Sequence, residues 1–120
     1  MGRTILAVDD EPEVLDILEE RLKAHGYEVI KATNGLEAAT KINEIIPALV
    51  ILDVDMPVAD GFKVLEVLRN FSPTASVPII MLTGKGESRN ILKALEMKAT
   101  DYLVKPFKAE ELLEMIQRYI

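Results

Sequence analysis

Three short segments of this 120-residue chain are apolar throughout, and they restrict its possible folds more than any other feature. They read Ile5-Leu6-Ala7-Val8, Leu49-Val50-Ile51-Leu52 and Ile79-Ile80-Met81-Leu82. A strand without apolar–polar alternation is buried on both faces, as in a parallel sheet that helices cover on each side. Strands are predicted over residues 4–8, 28–33, 48–52, 77–82 and 101–104. The second of these is more polar than the others, which favours an edge position.

Amphipathic segments separate the strands and predict helices. The first helix is predicted to begin at Pro12 and to end before Gly26, because proline suits a first helical turn and glycine a helix end. Asn34 and Asp60 are predicted to cap the second and third helices, and two more helices follow the fourth and fifth strands. The alternation predicts a single α/β domain over residues 1–120, a doubly wound, five-stranded parallel sheet with five helices.

The composition excludes several classes of function. The chain has no cysteine and one histidine, His25, so a thiolate nucleophile, a disulfide framework and a histidine triad are all excluded. Twenty acidic and fourteen basic residues give a net charge of −6, and without a basic stripe direct binding of nucleic acid is not expected. No apolar run approaches the ~18 residues of a membrane span. We therefore expect a soluble, cytoplasmic domain without membrane contact.

Polar residues follow four of the five predicted strands, at the edge where such sheets bind ligands. Asp9 and Asp10 follow the first strand, Asp53 the third, Thr83 the fourth and Lys105 the fifth. Two carboxylates about 4 Å apart repel by roughly 1 kcal/mol in water and roughly 4 kcal/mol at an effective dielectric of 20, so the cluster needs a cation, a raised pKa or solvent. Oxygen ligands suit Mg²⁺. Carboxylate, metal, hydroxyl and ammonium together predict a phosphoryl-transfer site with an aspartate as covalent acceptor.

Each of these residues also has an ordinary explanation when it is taken alone. A carboxylate at a strand end more often caps a helix or forms a turn, and this holds for Asp10 and for Asp53. Thr83 alone would be a turn hydroxyl, and Lys105 alone a solvated surface lysine. The functional interpretation depends on their joint occurrence at four strand ends.

The motifs at these strand ends, taken in order, resemble a known family. They are Asp9-Asp10, Asp53-Val54-Asp55-Met56-Pro57 followed by Asp60-Gly61, Thr83-Gly84, and Lys105-Pro106-Phe107. Together they resemble the receiver (phosphoacceptor) domain of two-component response regulators, the CheY-like family, from Ile5 to the C-terminus. The resemblance implies the flavodoxin-like strand order 2-1-3-4-5 and a cis peptide bond between Lys105 and Pro106.

The resemblance also implies a role for each site residue. Asp53 matches the phosphoacceptor, which takes a phosphoryl group from a histidine kinase or a small phosphodonor. The matching Mg²⁺ ligands are the side chains of Asp10 and Asp53, Asp9 through a water molecule, and the backbone carbonyl of Asp55. The matching phosphoryl-binding groups are the Thr83 hydroxyl and the Lys105 ammonium, and Tyr102 matches the aromatic switch residue.

The partners implied are a histidine kinase and a downstream effector protein or domain, which would bind the face formed by the fourth helix, the fifth strand and the fifth helix. Such a domain is not an enzyme with an external substrate, because it promotes only its own phosphorylation and dephosphorylation. Gly84 stands where alanine is common in the family, which would loosen the loop after the fourth strand.

Three alternatives remain at this point. A haloacid-dehalogenase-like phosphatase also uses an Asp-x-Asp pair, but Pro57 departs from its pattern and the pair follows the third strand. A toprim-like nucleic-acid enzyme requires a glutamate at the first strand and a basic surface, and both are missing from this sequence. A receiver fold used only as a docking scaffold does not need Asp53 and Lys105, which are both present.

Overall fold

Five strands and five α-helices alternate along the chain in the computed structural model, which describes residues 3–54, 61–84 and 88–120. The strands are β1 (Thr4–Val8), β2 (Glu28–Ala32), β3 (Leu49–Asp53), β4 (Ile79–Thr83) and β5 (Asp101–Val104). The α-helices are α1 (Pro12–Lys23), α2 (Gly35–Glu44), α3 (Gly61–Asn70), α4 (Ser88–Glu96) and α5 (Ala109–Tyr119). A short 3₁₀-helix, Ser72–Thr74, lies between α3 and β4.

The strands form one parallel sheet in the order β2-β1-β3-β4-β5, which confirms the predicted fold and the edge position of β2. The register aligns the carboxyl ends of the strands. Val8 pairs with both Ala32 and Leu52, and Thr83 pairs with Val104. The strand order reverses at β1 and β3, and a crevice at such a reversal is where doubly wound sheets bind ligands.

Two apolar layers cover the sheet and leave the central strands without solvent contact. One layer joins α2, α3 and α4 to the side chains of Leu6, Val50 and Met81, among others. The other joins α1 and α5 to Ile5, Ile51 and their neighbours. The three segments that are apolar throughout are thus buried on both faces, as their pattern predicts. None of the helices in the described ranges is long and apolar enough to cross a membrane.

The first two helices begin where the sequence indicates. Pro12 opens α1, and Gly26 ends its last turn with a φ of +89°, a conformation that glycine adopts without a Cβ penalty. The Oδ1 of Asn34 accepts a hydrogen bond of 2.8 Å from the backbone N–H of Glu37 and so caps α2. The cap predicted at Asp60 lies outside the described residues.

The segment between α3 and β4 differs from the prediction. The backbone N–H of Val77 donates to the carbonyl of Thr74 in a turn, so β4 begins at Ile79 rather than at residue 77. The hydroxyl of Thr74 donates to the carbonyl of Leu68 over 2.7 Å and fixes this turn against α3. The strands β3 and β4 also extend one residue further than predicted, so Asp53 and Thr83 are their last residues.

Candidate functional site

The carboxyl edge of the sheet brings together the carboxylate, hydroxyl and ammonium groups that the sequence places after its strands. Asp53 ends β3 and Thr83 ends β4, while Asp9 directly follows β1 and Lys105 directly follows β5. The relative exposure of Asp9, Asp53 and Thr83 is 0%, 2% and 1%. Three polar residues are therefore buried at the edge where a ligand would reach them, which is unusual unless they have partners.

Three carboxylates form a cluster that could hold a metal ion. Asp9, Asp10 and Asp53 each present one oxygen, and these oxygens lie within 4.8 Å of one another; Asp10 is the most exposed of the three. The Oδ2 of buried Asp9 has no hydrogen-bond partner in the described part of the chain. An oxygen-only donor set with an unpartnered buried oxygen fits a hard divalent cation such as Mg²⁺.

The backbone fixes the orientation of Asp9. Its Oδ1 accepts a hydrogen bond of 3.0 Å from the backbone N–H of Glu11, at the start of α1. Its own N–H donates to the carbonyl of Ala32 over 3.1 Å. One carboxylate oxygen is thereby held by the chain, and the other is left for the cluster. The Glu11 contact was not predicted, because a backbone donor has no signature in the sequence.

Lys105 places its ammonium against two of the carboxylates. The Nζ lies 3.1 Å from Oδ1 of Asp53 and 3.6 Å from Oδ2 of Asp9. Partial burial by itself would lower the pKa of Lys105, but the charges of Asp53 and Asp9 outweigh it and raise this pKa above its ordinary value. The Lys105–Pro106 peptide bond is cis, as predicted. The lysine is therefore a fixed positive charge at the cluster.

Thr83 contributes a hydroxyl with unused hydrogen-bonding capacity. Its Oγ1 is buried and has no hydrogen-bond partner within residues 3–54, 61–84 and 88–120. An unsatisfied buried polar group costs about 1–3 kcal/mol. A negatively charged oxygen bound at the cluster would offer this hydroxyl an acceptor.

Gly61 permits the close approach of α3 to the cluster. Its N–H donates to the carbonyl of Val54 over 3.1 Å. A Cβ at this position would overlap the carbonyl oxygen of Asp53 and lie 2.9 Å from the Cα of Val54. The sequence predicts Asp60 as the cap of the third helix, but it does not reveal this contact at Gly61.

Two other predicted site residues stand apart from the cluster. Asp55, the predicted carbonyl ligand, lies outside the described residues. Tyr102 is half-buried on β5, pairs with Met81 and packs against the apolar layer of α2, α3 and α4. Tyr102 therefore lies on the strand next to that of Thr83 and on the same side of the sheet as α4.

The fold and the site define a class of protein, and comparison with known families agrees. Residues 5–117 match the family described as "Response regulator receiver domain". The chain belongs to this family, whose members are phosphoacceptor modules of two-component signalling rather than classical enzymes.

Relatives of known description are transcriptional regulators. A probable transcriptional regulator ycf27 from Pyropia yezoensis is 51% identical over 108 residues, which are 90% of this chain and 43% of that protein. The phosphate regulon transcriptional regulatory protein PhoB from Pseudomonas aeruginosa is 38% identical over 117 residues, or 98% of this chain and 51% of that protein. The chain thus spans about half the length of these relatives, or less.

Solved structures show the same fold over their full length. The chemotaxis protein CheY4 of Vibrio cholerae superposes with a TM-score of 0.94 at 35% identity, and the match covers 100% of both chains. A response regulator from Chloroflexus aurantiacus gives 0.94 at 36% identity over 99% of this chain and 98% of that one.

Proposed function

We propose that Asp53 accepts a phosphoryl group from a partner histidine kinase in a Mg²⁺-dependent reaction, and that the domain then changes conformation to control a downstream partner. The observation that carries this proposal is the position of the Asp53 carboxylate. It is 2% exposed, lies 3.1 Å from the Lys105 ammonium and shares a cluster with Asp9 and Asp10. An acceptor, a charge clamp and a cation site converge there.

The residues present fit Mg²⁺: the side chains of Asp10 and Asp53 and the backbone carbonyl of Asp55 would hold it, and Asp9 would act through a bound water molecule. When bound, the ion would neutralise charge on the carboxylates and on the incoming phosphoryl group. The protein itself would position the acceptor and bind the oxygens of the transferred group. Positioning and charge stabilisation of this kind account for most of the catalysis of phosphoryl transfer.

The chain's own groups perform the transfer as follows. A carboxylate oxygen of Asp53 attacks the phosphorus of the donor, and the bond from phosphorus to the donor's histidine nitrogen breaks as the new O–P bond forms. The Lys105 ammonium and the Thr83 hydroxyl each bind a phosphoryl oxygen and stabilise its charge. Hydrolysis of the resulting acyl phosphate restores Asp53, so the domain would turn over no external substrate.

The downstream partner is proposed to bind the face formed by α4, β5 and α5. Leu92 and Leu95 on α4 are 62% and 48% exposed, so this helix has apolar side chains that a partner could cover. The net charge of −6 argues against direct nucleic-acid binding by this domain. A cytoplasmic location and a single receiver domain over residues 1–120 remain predictions.

The decisive experiment is to weigh the intact protein after incubation with Mg²⁺ and acetyl phosphate. We expect one phosphoryl adduct that is labile to base, absent with a chelator and absent in Asp53→Asn. Asp16→Asn changes an exposed aspartate of α1 and should retain the full adduct. An unchanged yield in Asp53→Asn would show that another residue is the acceptor. Absence of any adduct would favour the scaffold, and steady turnover of an external phosphomonoester would favour the phosphatase.

A further inference from the structure

The guanidinium of Arg69 joins three segments at the amino edge of the sheet, opposite the carboxylate cluster. Its Nε donates to the carbonyl of Lys98 over 2.9 Å, at the end of α4. Its Nη1 donates to the carbonyl of Val77 over 2.8 Å, just before β4, and lies 3.3 Å from the carbonyls of Thr74 and Ala75. The end of α3, the approach to β4 and the end of α4 therefore share one side chain.

Thr100 extends this junction to β5. The Nη2 of Arg69 lies 3.3 Å from the Oγ1 of Thr100, which also accepts a hydrogen bond of 2.9 Å from the N–H of Ile79. The N–H of Thr100 in turn donates to the carbonyl of Ile79 over 2.9 Å. We call these residues, Arg69, Val77, Ile79, Lys98 and Thr100, the basal junction.

Arg69 makes these bonds at a cost in solvation. Burial lowers the pKa of its guanidinium, and within the described ranges it forms no salt bridge with a carboxylate. Lys98, whose carbonyl it binds, has a φ of +69°, which is uncommon for a residue with a side chain. A charged side chain that is desolvated to bind carbonyls in this way holds together the backbone segments that carry them.

Different contacts hold the two ends of the α3–α4 pair. Nearer the site, the ammonium of Lys93 on α4 lies 4.5 Å from the centroid of the Phe62 ring on α3, which is a cation–π contact between two side chains. At the basal end, the guanidinium of Arg69 binds backbone carbonyls and so links the chain after α4 directly to the segment before β4.

We propose that Arg69 is a positioning residue for the phosphorylation switch: it fixes the basal ends of β4, β5 and α4, so that movement driven from Asp53 is confined to their opposite ends. Thr83 lies four residues from Ile79, roughly 13 Å along the strand at about 3.3 Å per residue. A displacement of Thr83 then tilts α4 and moves Tyr102 rather than shifting the whole layer. This inference deepens the proposed function and rests on it.

The test compares two variants of Arg69 with a matched control. Arg69→Met keeps the length of the side chain without its donors, and Arg69→Lys keeps the charge without the planar fork. Arg21→Met changes an exposed arginine of α1 in the same way. For each protein, three quantities are measured: the phosphoryl adduct at Asp53, the amide hydrogen exchange of Ile79 and Thr100, and the NMR response of Tyr102 to beryllofluoride.

We expect Arg69→Met to form the adduct at the wild-type yield, because the junction is far from Asp53. Exchange at Ile79 and Thr100 should be at least about tenfold faster, since opening of the junction exposes these amides. The Tyr102 response should fall at least about threefold, because α4 no longer has a fixed end. For both the exchange rates and the Tyr102 response, Arg69→Lys should give values between those of Arg69→Met and the wild type. Arg21→Met should match the wild type.

A second pair of variants covers the case in which Arg69→Met does not fold. Thr100→Val removes the acceptor of both Ile79 and Arg69, while Thr100→Ser keeps the hydroxyl. A Tyr102 response that is reduced in Thr100→Val but not in Thr100→Ser supports the inference. A wild-type response in folded Arg69→Met, or in Thr100→Val when Arg69→Met is unfolded, overturns it. If the wild type itself forms no adduct, the proposed function fails instead.

Discussion

At the scale of single residues, charge balance determines what the site can bind. When ionised, the three carboxylates of the cluster share one ammonium among the residues that the structure describes, so two negative charges remain uncompensated there. A divalent cation balances both charges, whereas a second lysine would balance only one of them. Lys105 lies against buried Asp53 and Asp9, and under the proposed function it would also bind a phosphoryl oxygen after the transfer.

Removal of the Lys105 side chain is expected to lower the stability of the protein and to raise its affinity for the metal ion. In a chelator, Lys105→Met should lower the free energy of unfolding by about 1–3 kcal/mol, because a charge-assisted hydrogen bond to Asp53 is lost. Mg²⁺ should then stabilise the variant more than the wild type, since it binds a more negative cluster. Urea unfolding with and without Mg²⁺ measures both effects.

The matched control for that experiment is Lys23→Met, which removes an exposed lysine paired with Glu19 at the surface. Its unfolding free energy should change by less than about 1 kcal/mol, and its response to Mg²⁺ should equal that of the wild type. Equal stabilisation of Lys105→Met and the wild type by Mg²⁺ would contradict the charge-balance account.

Tyr119 has a pH-dependent contact away from the site. Its hydroxyl donates to Oδ2 of Asp101 over 2.7 Å, and this hydrogen bond raises the pKa of Tyr119 above its ordinary value. The folded state therefore favours the protonated phenol. The stabilisation is fully present below the unfolded pKa of about 10 and is lost as the pH rises through the folded pKa.

The difference in unfolding free energy between the wild type and Tyr119→Phe should therefore become smaller at alkaline pH. At neutral pH the variant should lose less than about 1 kcal/mol of unfolding free energy, because the pair is partly solvated. Above about pH 10 the difference should shrink. Stability measured from pH 8 to 12 shows this. A difference between Tyr119→Phe and the wild type that is the same at pH 8 and at pH 12 would refute the assignment.

At the scale of secondary-structure elements, two helices end with the same motif but different residues. In α1 the N–H of Gly26 donates to Lys23 and that of Tyr27 to Leu22. In α4 the N–H of Lys98 donates to Leu95 and that of Ala99 to Ala94, in the same spacing. Both are Schellman endings with a left-handed residue, for which glycine is preferred.

This comparison predicts opposite effects of substitution at the two helix ends. Lys98→Gly should raise the unfolding free energy by about 0.5–1 kcal/mol, because it removes the Cβ penalty and keeps the carbonyl that Arg69 binds. Gly26→Ala should lower it by about 1 kcal/mol, since the site is open but the φ is left-handed. Denaturant titration of both variants measures whether the unfolding free energy rises or falls. A loss of stability in Lys98→Gly would contradict the interpretation that the left-handed conformation of Lys98 is strained.

The sequence predicted elements that carry a side-chain pattern and missed those made by backbone. The burial of both strand faces and the convergence of Asp9, Asp53 and Thr83 followed from apolar runs and from the strand ends, whereas the strand order followed from the family resemblance. The left-handed Lys98 had no glycine to signal it. No pattern in the sequence singled out Arg69, because most of its acceptors are backbone carbonyls.

At the scale of the whole molecule, the chemistry and its anchor occupy opposite edges of one sheet. Asp53, Thr83 and Lys105 lie at the carboxyl edge, and the basal junction lies at the amino edge. The layer of α2, α3 and α4 connects the two and contains the half-buried ring of Tyr102. A change of charge at Asp53 can therefore reach α4 through β4 and β5 without unfolding either layer.

The last prediction concerns this route. Phosphorylation adds about 1.5 to 2 negative charges at Asp53, which should draw the Thr83 hydroxyl toward the phosphoryl group and open space for the ring of Tyr102. Inward and outward rings must both be populated for phosphate to shift their ratio. A tenfold shift requires about 1.4 kcal/mol of differential interaction, which one charge-assisted hydrogen bond of about 1.5–3 kcal/mol supplies.

NMR of the Tyr102 ring, with and without beryllofluoride as a phosphoryl mimic, tests this route in the wild type and in Thr83→Ala. We expect the ring to move inward in the wild type on addition of the mimic, and the shift to fall at least about tenfold in Thr83→Ala, which lacks the hydroxyl proposed to bind the phosphoryl group on Asp53. Thr83→Ser keeps the hydroxyl and should respond like the wild type. If the environment of Tyr102 is the same in every sample, the signal leaves Asp53 by another surface, and the face of α4, β5 and α5 is not the output.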